Sequence, residues 1–282
     1  MQQDQIPDSA IANLPVGQIS DIECKMLYYM ASEIWSGRGA IVELGSLYGK
    51  STVCLARGMK ANTRECVGKL HAYDKWRVDD ENKFMLGQLK TGFSGSFRNI
   101  FDENVKEFAD VIVPHEGDVF DAQWTGGPIE ILFIDCSISL AFHEMVFKKF
   151  YPFLEKGSIV IHQDYFLYRS YYLPLMMGKL FKYLQEKGNA DTSVIFQCCE
   201  KIPTEMFNSP LVTSDTDITW SLEIMVAAYG GPSTVCGGII ASMLVYFYNM
   251  RGHYAQASAW TRKISSKDHA VQRNLRNAMV AA

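Results

Sequence analysis

The chain has 282 residues, 48% of them hydrophobic, which is enough for one large globular domain or for a domain with an added segment. Its formal net charge is −4 and it has no basic block, so we expect no nucleic-acid partner. The cysteines form no Cys-x-x-Cys pair, and the N-terminus has neither a basic start nor an apolar core. These features predict a cytoplasmic protein without a secretory signal.

Residues 1–37 are predicted to form a helical lead-in. Ser20 and Glu23 have the spacing of a capping box, and the apolar residues that follow recur at helical intervals up to Ile34. After Gly37, the apolar run AIVEL predicts a buried strand. A glycine-containing loop and the sequence STVCLARGM then predict a tight turn and a helix.

Four more strands are predicted where short apolar runs end in, or run into, an aspartate. These runs are LHAYD at Asp74, DVIVPHEGD near Asp118, EILFID at Asp135 and GSIVIHQD at Asp164. Helical segments lie between most of them, which predicts an α/β fold with a doubly wound, mostly parallel sheet covered on both faces. A helix over Tyr172–Leu184 and a strand over Ser193–Cys198 complete a predicted domain of residues 38–203.

Residues 204–282 are predicted to form a helical C-terminal extension. The uncharged run Ser233–Met250 is too polar for a membrane span, so we expect no membrane partner. The helices around Gly252 resemble one tetratricopeptide unit, for which we expect a helical hairpin packed on the domain or on a second subunit. The run Ile239–Tyr248 would be an exposed apolar patch on a monomer, which predicts a homodimer through the C-terminal helices.

The stretch ELGSLYGKST, residues 43–52, has the glycines, lysine and hydroxyls of a phosphate-binding loop. However, only three residues separate Gly45 from Gly49, where a Walker A loop has four, and Glu43 would repel a phosphate. The spacing does not fit a dinucleotide motif either. A helix N-terminus for a carboxylate, Glu43 for an ammonium and Asp74 for ribose hydroxyls together describe S-adenosylmethionine. A P-loop nucleotide-binding protein remains an alternative.

Taken together, IVELGSLYGKST, LHAYDKW, PHEGDVFD and FIDCSISLAFHEMVFKKFYPFLEKGSIVIHQDY resemble the successive motifs of class I S-adenosylmethionine-dependent methyltransferases. Within that class they are similar to small-molecule O-methyltransferases of the macrocin O-methyltransferase and cephalosporin-hydroxylase-like group, over roughly residues 38–200. The resemblance implies a Rossmann-like sheet and methyl transfer to a hydroxyl of a small molecule, such as a sugar or a secondary metabolite. It does not cover the helical extension.

Carried over residue by residue, the resemblance implies cofactor contacts from the glycine loop and from the ends of the second, third and fourth strands. The residues are Glu43, Gly45, Ser46, Tyr48, Gly49, Lys50, Ser51, Asp74, Lys75, Trp76, Gly117, Asp118, Val119 and Asp135. It places the methionine part at the loop, the ribose at Asp74, the adenine near Gly117–Val119 and the sulfonium near Asp135.

A hydroxyl acceptor needs a base or a metal to remove its proton. Asp135, His162 and Asp164 are the catalytic candidates, and Asp135 and Asp164 are also candidate ligands of a Mg²⁺ ion. The resembled group commonly carries an Asp and a His just after the fourth strand, where this chain has Ser137 and Ile138. This departure leaves open a catalytically idle cofactor-binding or scaffold protein of the same fold.

Two further segments have open interpretations. The aromatic run 165–172 either lines an acceptor pocket or starts a core-facing helix. The polar segment Arg77–Phe97 is either a lid or a solvated insertion.

Overall fold

The computed structural model describes residues 6–78, 95–136, 139–212 and 214–280. Its strands are β1 (Ala40–Leu44), β2 (Leu70–Asp74), β3 (Ile112–Glu116), β4 (Ile129–Ile134), β5 (Leu154–His162), β6 (Leu184–Ala190) and β7 (Ser193–Cys198). In this part of the chain they form one seven-stranded sheet in the order β3-β2-β1-β4-β5-β7-β6. The first five pair in parallel, whereas β7 is antiparallel to β5 and β6. The predicted α/β, mostly parallel sheet is confirmed.

Helices cover both faces of this sheet. They are α1 (Asp21–Tyr29), which continues as a π-helical turn over Met30–Ile34, α2 (Lys50–Ala61), α3 (Arg98–Val105), α4 (Leu140–Lys149), α5 (Tyr172–Leu180), α6 (Asp215–Ala228), α7 (Val235–Met250), α8 (Tyr254–Lys263) and α9 (His269–Val280). Short 3₁₀ turns lie at Asp8–Ile11, Lys106–Phe108, Tyr151–Phe153 and Thr204–Asn208.

The lead-in helix α1 begins at the predicted capping box. The Ser20 hydroxyl accepts a hydrogen bond from the Glu23 backbone N–H at 3.3 Å, and the Glu23 carboxylate accepts one from the Ser20 N–H at 2.8 Å. These bonds satisfy backbone donors that the first turn of a helix otherwise leaves without partners. The prediction of a helix start at this position is confirmed.

The core lies on both faces of the sheet because side chains alternate along each strand. On one face, Val42 and Leu132 pack with α4, α5 and the C-terminal helices. On the other, Ile41, Ile131 and Phe133 pack with α1, α2 and α3. The C-terminal helices α6–α9 share one continuous core with β4 and β5, and α6 packs against α5. The hairpin of α7 and α8 belongs to this packing.

Three expectations about the second half of the chain need correction or comment. The helix predicted over Tyr172–Leu184 ends at Leu180, and Leu184 instead begins β6, a strand the sequence pattern did not predict.

The run Ile239–Tyr248 is mostly buried inside the chain, so it is not an exposed patch. The predicted homodimer loses that argument and stays a prediction. In the ranges described, no helix is both long and apolar enough to cross a membrane.

Candidate functional site

A cavity of about 320 Å³ opens at the carboxyl ends of β1, β2 and β4. In open α/β sheets, ligands bind at this edge. Most of the residues expected to contact the cofactor line the cavity. They are Gly45, Ser46, Tyr48, Lys50, Ser51, Asp74, Lys75, Asp118, Val119 and Asp135. Glu43, Gly49, Trp76 and Gly117 are not part of its lining, and neither are His162 and Asp164.

The loop between β1 and α2 turns through three left-handed residues. Gly45, Leu47 and Gly49 have φ angles of 95°, 48° and 89°. The positive φ angle favours glycine at position 45, and a Cβ atom there would also lie 2.6 Å from the Asp135 carbonyl oxygen. The loop therefore passes directly against the end of β4, which brings Asp135 beside it.

Asp74 fixes this loop to the end of β2. One of its carboxylate oxygens accepts a hydrogen bond from the Leu47 N–H at 2.9 Å, and the other accepts one from the Trp76 N–H at 2.7 Å. The Trp76 indole N–H donates to the Leu47 carbonyl at 2.9 Å. Burial raises the pKa of Asp74, while the two amides favour its charged form. Trp76 is buried beneath the Arg98 guanidinium, so it supports the loop from below.

Glu43 lies behind the loop and is completely buried. One carboxylate oxygen accepts a hydrogen bond from the Thr52 hydroxyl at 2.6 Å, whereas Oε1 has no hydrogen-bond partner among the described residues. Burial raises the pKa of Glu43 to about 7, although the nearby hydroxyls of Ser51, Thr52 and Ser46 favour the charged form. A buried acceptor without a donor, next to lining hydroxyls, fits a cationic ligand group close by.

The N-terminus of α2 forms the part of the cavity that suits an anionic group. Gly49 is its N-cap and makes no side-chain cap, and the first turn has no acidic residue. The N–H groups that the first turn of a helix leaves without intrahelical partners, together with the helix dipole, favour a carboxylate. The Lys50 ammonium, predicted to contact the cofactor, donates to the Ile19 carbonyl at 2.6 Å.

The opposite end of the cavity combines an ion pair with apolar side chains. The Lys75 ammonium lies 3.2 Å from an Asp118 carboxylate oxygen, and the other oxygen of Asp118 accepts the Phe120 N–H at 2.9 Å. Val119 and Phe120 line the cavity beside this pair. Gly117 is exposed and bonds through its N–H to the Asp74 carbonyl at 3.0 Å. A flat, mostly apolar ring with polar edges fits such a surface.

Asp135 is the catalytic candidate that lines the cavity. Burial raises its pKa well above the ordinary value, and the nearby charge of Asp164 raises it further. Asp164 is half-buried, has a φ angle of 58° and accepts a hydrogen bond from the Gln163 side-chain amide at 3.0 Å. Burial raises the pKa of Asp164 as well.

The candidate ligands of a Mg²⁺ ion, Asp135 and Asp164, are only two carboxylates, so the metal site stays a prediction. Magnesium requires six oxygen ligands in near-ideal octahedral geometry. Where the structure describes the chain, there is no group of three or more His, Cys, Asp or Glu side chains that could hold a metal. Ser137 and Ile138, the residues that raised the possibility of an idle site, lie outside the described residues.

His162 lies in the core and does not reach the cavity. Its ring Nε2 is hydrogen-bonded to the Tyr151 hydroxyl at 2.9 Å, its Nδ1 has no partner among the described residues, and burial lowers its pKa to about 3. The side chain points to the face of the sheet that α4 covers, as the alternation along β5 requires. This position does not favour His162 as a base, and its catalytic role remains an untested prediction.

The structure describes the aromatic run 165–172 completely and the polar segment Arg77–Phe97 only in part. Tyr165 and Phe166 are buried in the core, as the core-facing alternative expected, and do not line the cavity. Most of the predicted lid, residues 79–94, lies outside the described residues. Phe97, at the end of that segment, lines the cavity.

Several cavity residues escaped prediction because no local pattern marks them. They are Val16, Gly17, Gln18, Ile19, Leu47, Tyr73, Phe97, Phe120, Cys136 and Phe142. Cys136 and Leu47 could have been found from their place next to predicted site residues. The four lead-in residues could not, because only tertiary packing brings them to the sheet edge.

Comparison with known proteins agrees with this geometry. Residues 42–165 match a family model described as a methyltransferase domain. No curated protein sequence matches significantly. The O-methyltransferase NovP superposes with a TM-score of 0.52 at 13% identity, covering 64% of this chain and 81% of NovP.

Two other solved structures are similar at lower TM-scores. CalS11, a TDP-rhamnose 3'-O-methyltransferase of calicheamicin biosynthesis, has a TM-score of 0.47 and 16% identity, covering 68% of this chain and 87% of its own. An SAH-bound methyltransferase from Podospora anserina has a TM-score of 0.46 and 11% identity, covering 70% and 84%. The family match confirms the resemblance drawn from the motifs. The chain thus has a Rossmann-like methyltransferase fold, within which residues 42–165 match the methyltransferase-domain model.

Proposed function

We propose that this protein is an S-adenosylmethionine-dependent methyltransferase that methylates a hydroxyl group of a small molecule. The observation that carries the proposal is the convergence of the glycine loop, Asp74 and Asp135 on one cavity at the carboxyl ends of the strands. The methyltransferase family match supports the reaction class. The choice of a hydroxyl acceptor comes from the motif resemblance and is in line with the fold shared with the O-methyltransferase NovP.

The chain's own groups match the parts of the proposed cofactor. The N-terminus of α2 suits its carboxylate, and the partnerless Oε1 of Glu43 suits a nearby ammonium. Asp74 retains acceptor capacity for ribose hydroxyls beyond the two amides it already binds. When bound, S-adenosylmethionine supplies an electrophilic methyl group on a sulfonium. The protein must then align an acceptor oxygen and exclude water.

Asp135 is the residue we assign as the base. It is the catalytic candidate whose side chain lines the cavity, and its raised pKa makes its carboxylate a stronger proton acceptor than a solvated aspartate. It would take the proton of the acceptor hydroxyl as the oxygen attacks the methyl group. Phe142 and Cys136 line the cavity close to Asp135 in the chain and give this end an apolar wall.

The glycine loop argues against a P-loop function, because one of its amides is already hydrogen-bonded within the chain. The Leu47 N–H, which a phosphate would need, is bonded to the Asp74 carboxylate. A phosphate bound at this amide would lie next to the Asp74 carboxylate, and like charges repel.

Calorimetric titration with S-adenosylmethionine, S-adenosylhomocysteine and ATP tests the binding part of the proposal. We expect binding of the first two and not of ATP; binding of ATP alone would refute it. Labelled methyl transfer to a panel of hydroxylated small molecules then tests turnover. Ligand binding without transfer to any of them, under conditions in which a related O-methyltransferase is active, would favour the idle cofactor-binding protein.

A further inference from the structure

One wall of the cavity comes from outside the matched family segment. Val16, Gly17, Gln18 and Ile19, just before α1, line the cavity together with the glycine loop. Ile19 is also buried in the core that α1 and α2 share. Val16, in contrast, is largely exposed, so this short stretch runs from solvent into the core across the cavity.

Lys50 holds this stretch in place. Its ammonium donates to the Ile19 carbonyl at 2.6 Å, a charge-assisted hydrogen bond. The aliphatic part of the side chain lies against Gly17, where an added Cβ would come within 2.6 Å of the Lys50 Cβ. The absence of a side chain at Gly17 is what allows the lead-in to lie this close to α2.

A second cation on α2 holds the lead-in further upstream. Arg57 follows Lys50 by seven residues, which places both on one face of the helix. Its guanidinium donates to the Ala10 carbonyl at 3.1 Å and to the Ala12 carbonyl at 2.7 Å. The lead-in is therefore attached to α2 through main-chain carbonyls at two places, and only the Lys50 attachment lies at the cavity.

We propose that Lys50 is a positioning residue: it fixes residues 16–19 as a wall of the cavity and so slows the release of the bound cofactor. This rests on the proposed function, because it takes the cavity to be the cofactor site. It differs from the sequence-based expectation that Lys50 contacts the cofactor directly. Loss of the ammonium would free the wall while leaving the glycine loop, Asp74 and Asp135 in place.

Lys50→Met removes the donor and keeps an unbranched apolar side chain. Lys60→Met is the matched control, because it is the same substitution on the same helix, at an exposed residue whose ion pair is with Asp110. Two quantities are measured: thermolysin cleavage between Leu14 and Ile19 in the absence of ligand, and the dissociation rate of S-adenosylhomocysteine. We expect Lys50→Met to accelerate cleavage and to raise the dissociation rate about tenfold or more, as loss of a hydrogen bond to a charged group implies. Lys60→Met should change neither.

Two further variants keep the test decisive. Lys50→Arg retains a cationic donor and should restore most of the protection. Gly17→Ala keeps the ammonium but places a Cβ against the Lys50 side chain, so it should displace the wall and act in the same direction as Lys50→Met, which covers the case that the latter does not fold.

The outcomes separate the alternatives. Weaker S-adenosylhomocysteine binding with cleavage unchanged would show that Lys50 contacts the ligand directly, and would overturn the proposal. So would faster cleavage with an unchanged dissociation rate, because the wall would then not retain the ligand. If the unmodified protein does not bind S-adenosylhomocysteine at all, the proposed function fails and the retention role with it, whereas the cleavage measurement still decides whether Lys50 holds the wall.

Discussion

Replacing the buried Glu43 by glutamine should change how the stability of the protein depends on pH. Glu43 is completely buried, and burial raises its pKa from 4.5 to about 7. Glutamine has nearly the same shape and can still accept the Thr52 hydroxyl, but it does not titrate. The comparison therefore isolates the cost of the buried charge.

The direction of the change in stability with pH follows from which state of the protein, folded or unfolded, binds the proton. Between pH 4.5 and about 7 the folded protein holds a proton on Glu43 that the unfolded chain has already lost. The free energy of unfolding therefore falls as pH rises through this window. The contribution is fully present below 4.5 and is lost above about 7; at about 1.4 kcal/mol per pKa unit, the total is about 3 kcal/mol.

The assay is urea unfolding of both proteins at several values between about pH 5 and about pH 8. Asp74, Asp135 and Asp164 also have raised pKa values in both proteins; because the charge of Glu43 is one cause of the raised pKa of Asp135, the difference between the two proteins reports Glu43 together with this coupling. We expect Glu43→Gln to gain up to about 3 kcal/mol on the unmodified protein as pH rises. Glu33→Gln, at an exposed glutamate, is the control and should show no such trend.

A difference that stays constant over this range would refute the reasoning. It would mean that Glu43 is ionised throughout, with a donor for Oε1 that the described residues do not provide.

The proposed function leads to three further predictions. Asp135→Asn should lower methyl transfer by about a hundred- to ten-thousand-fold, as expected for loss of a base, while S-adenosylhomocysteine affinity measured by calorimetry changes little; unchanged turnover would remove Asp135 from the mechanism. Asp74→Ala should weaken S-adenosylhomocysteine binding by about tenfold or more, because the ribose hydroxyls and the Leu47 and Trp76 amides would all lose their hydrogen-bond acceptor. An unchanged affinity would contradict the assigned ribose contact. Addition of a chelator should leave labelled methyl transfer unchanged, and loss of activity that Mg²⁺ restores would show a metal requirement.

The parts of the site that the sequence predicted are those set by local pattern and by the logic of a parallel sheet. An apolar run followed by Gly45 and Gly49 marks the loop, since both glycines adopt φ angles that other residues disfavour. Asp74 and Asp135 end parallel strands, and such ends meet at one edge. Their convergence on one cavity therefore follows from the topology.

The failures have physical reasons as well. Strand β6 reads LQEKGNA, and it is an edge strand whose middle residues are largely exposed, so it carries almost no hydrophobic signal. Tyr183 and Leu184 keep the helical spacing of α5 beyond the end of that helix. The charge-free helix α7 was predicted to be exposed because composition does not reveal what covers a helix; in the structure the neighbouring helices α6, α8 and α9 pack against it.

The boundaries of the matched family segment do not coincide with those of the site. Lys50 lies within residues 42–165, but the carbonyl it holds belongs to Ile19. At the other flank, the loop after Asp164 is fixed from α9, because the Tyr168 N–H donates to the buried Asn274 side chain at 2.7 Å. Segments outside residues 42–165 thus hold the chain on both sides of the edge at which the strands end. Because the lead-in itself lines the cavity, we expect sequence changes in residues 16–19 to alter ligand retention even where the motifs of residues 42–165 are unchanged.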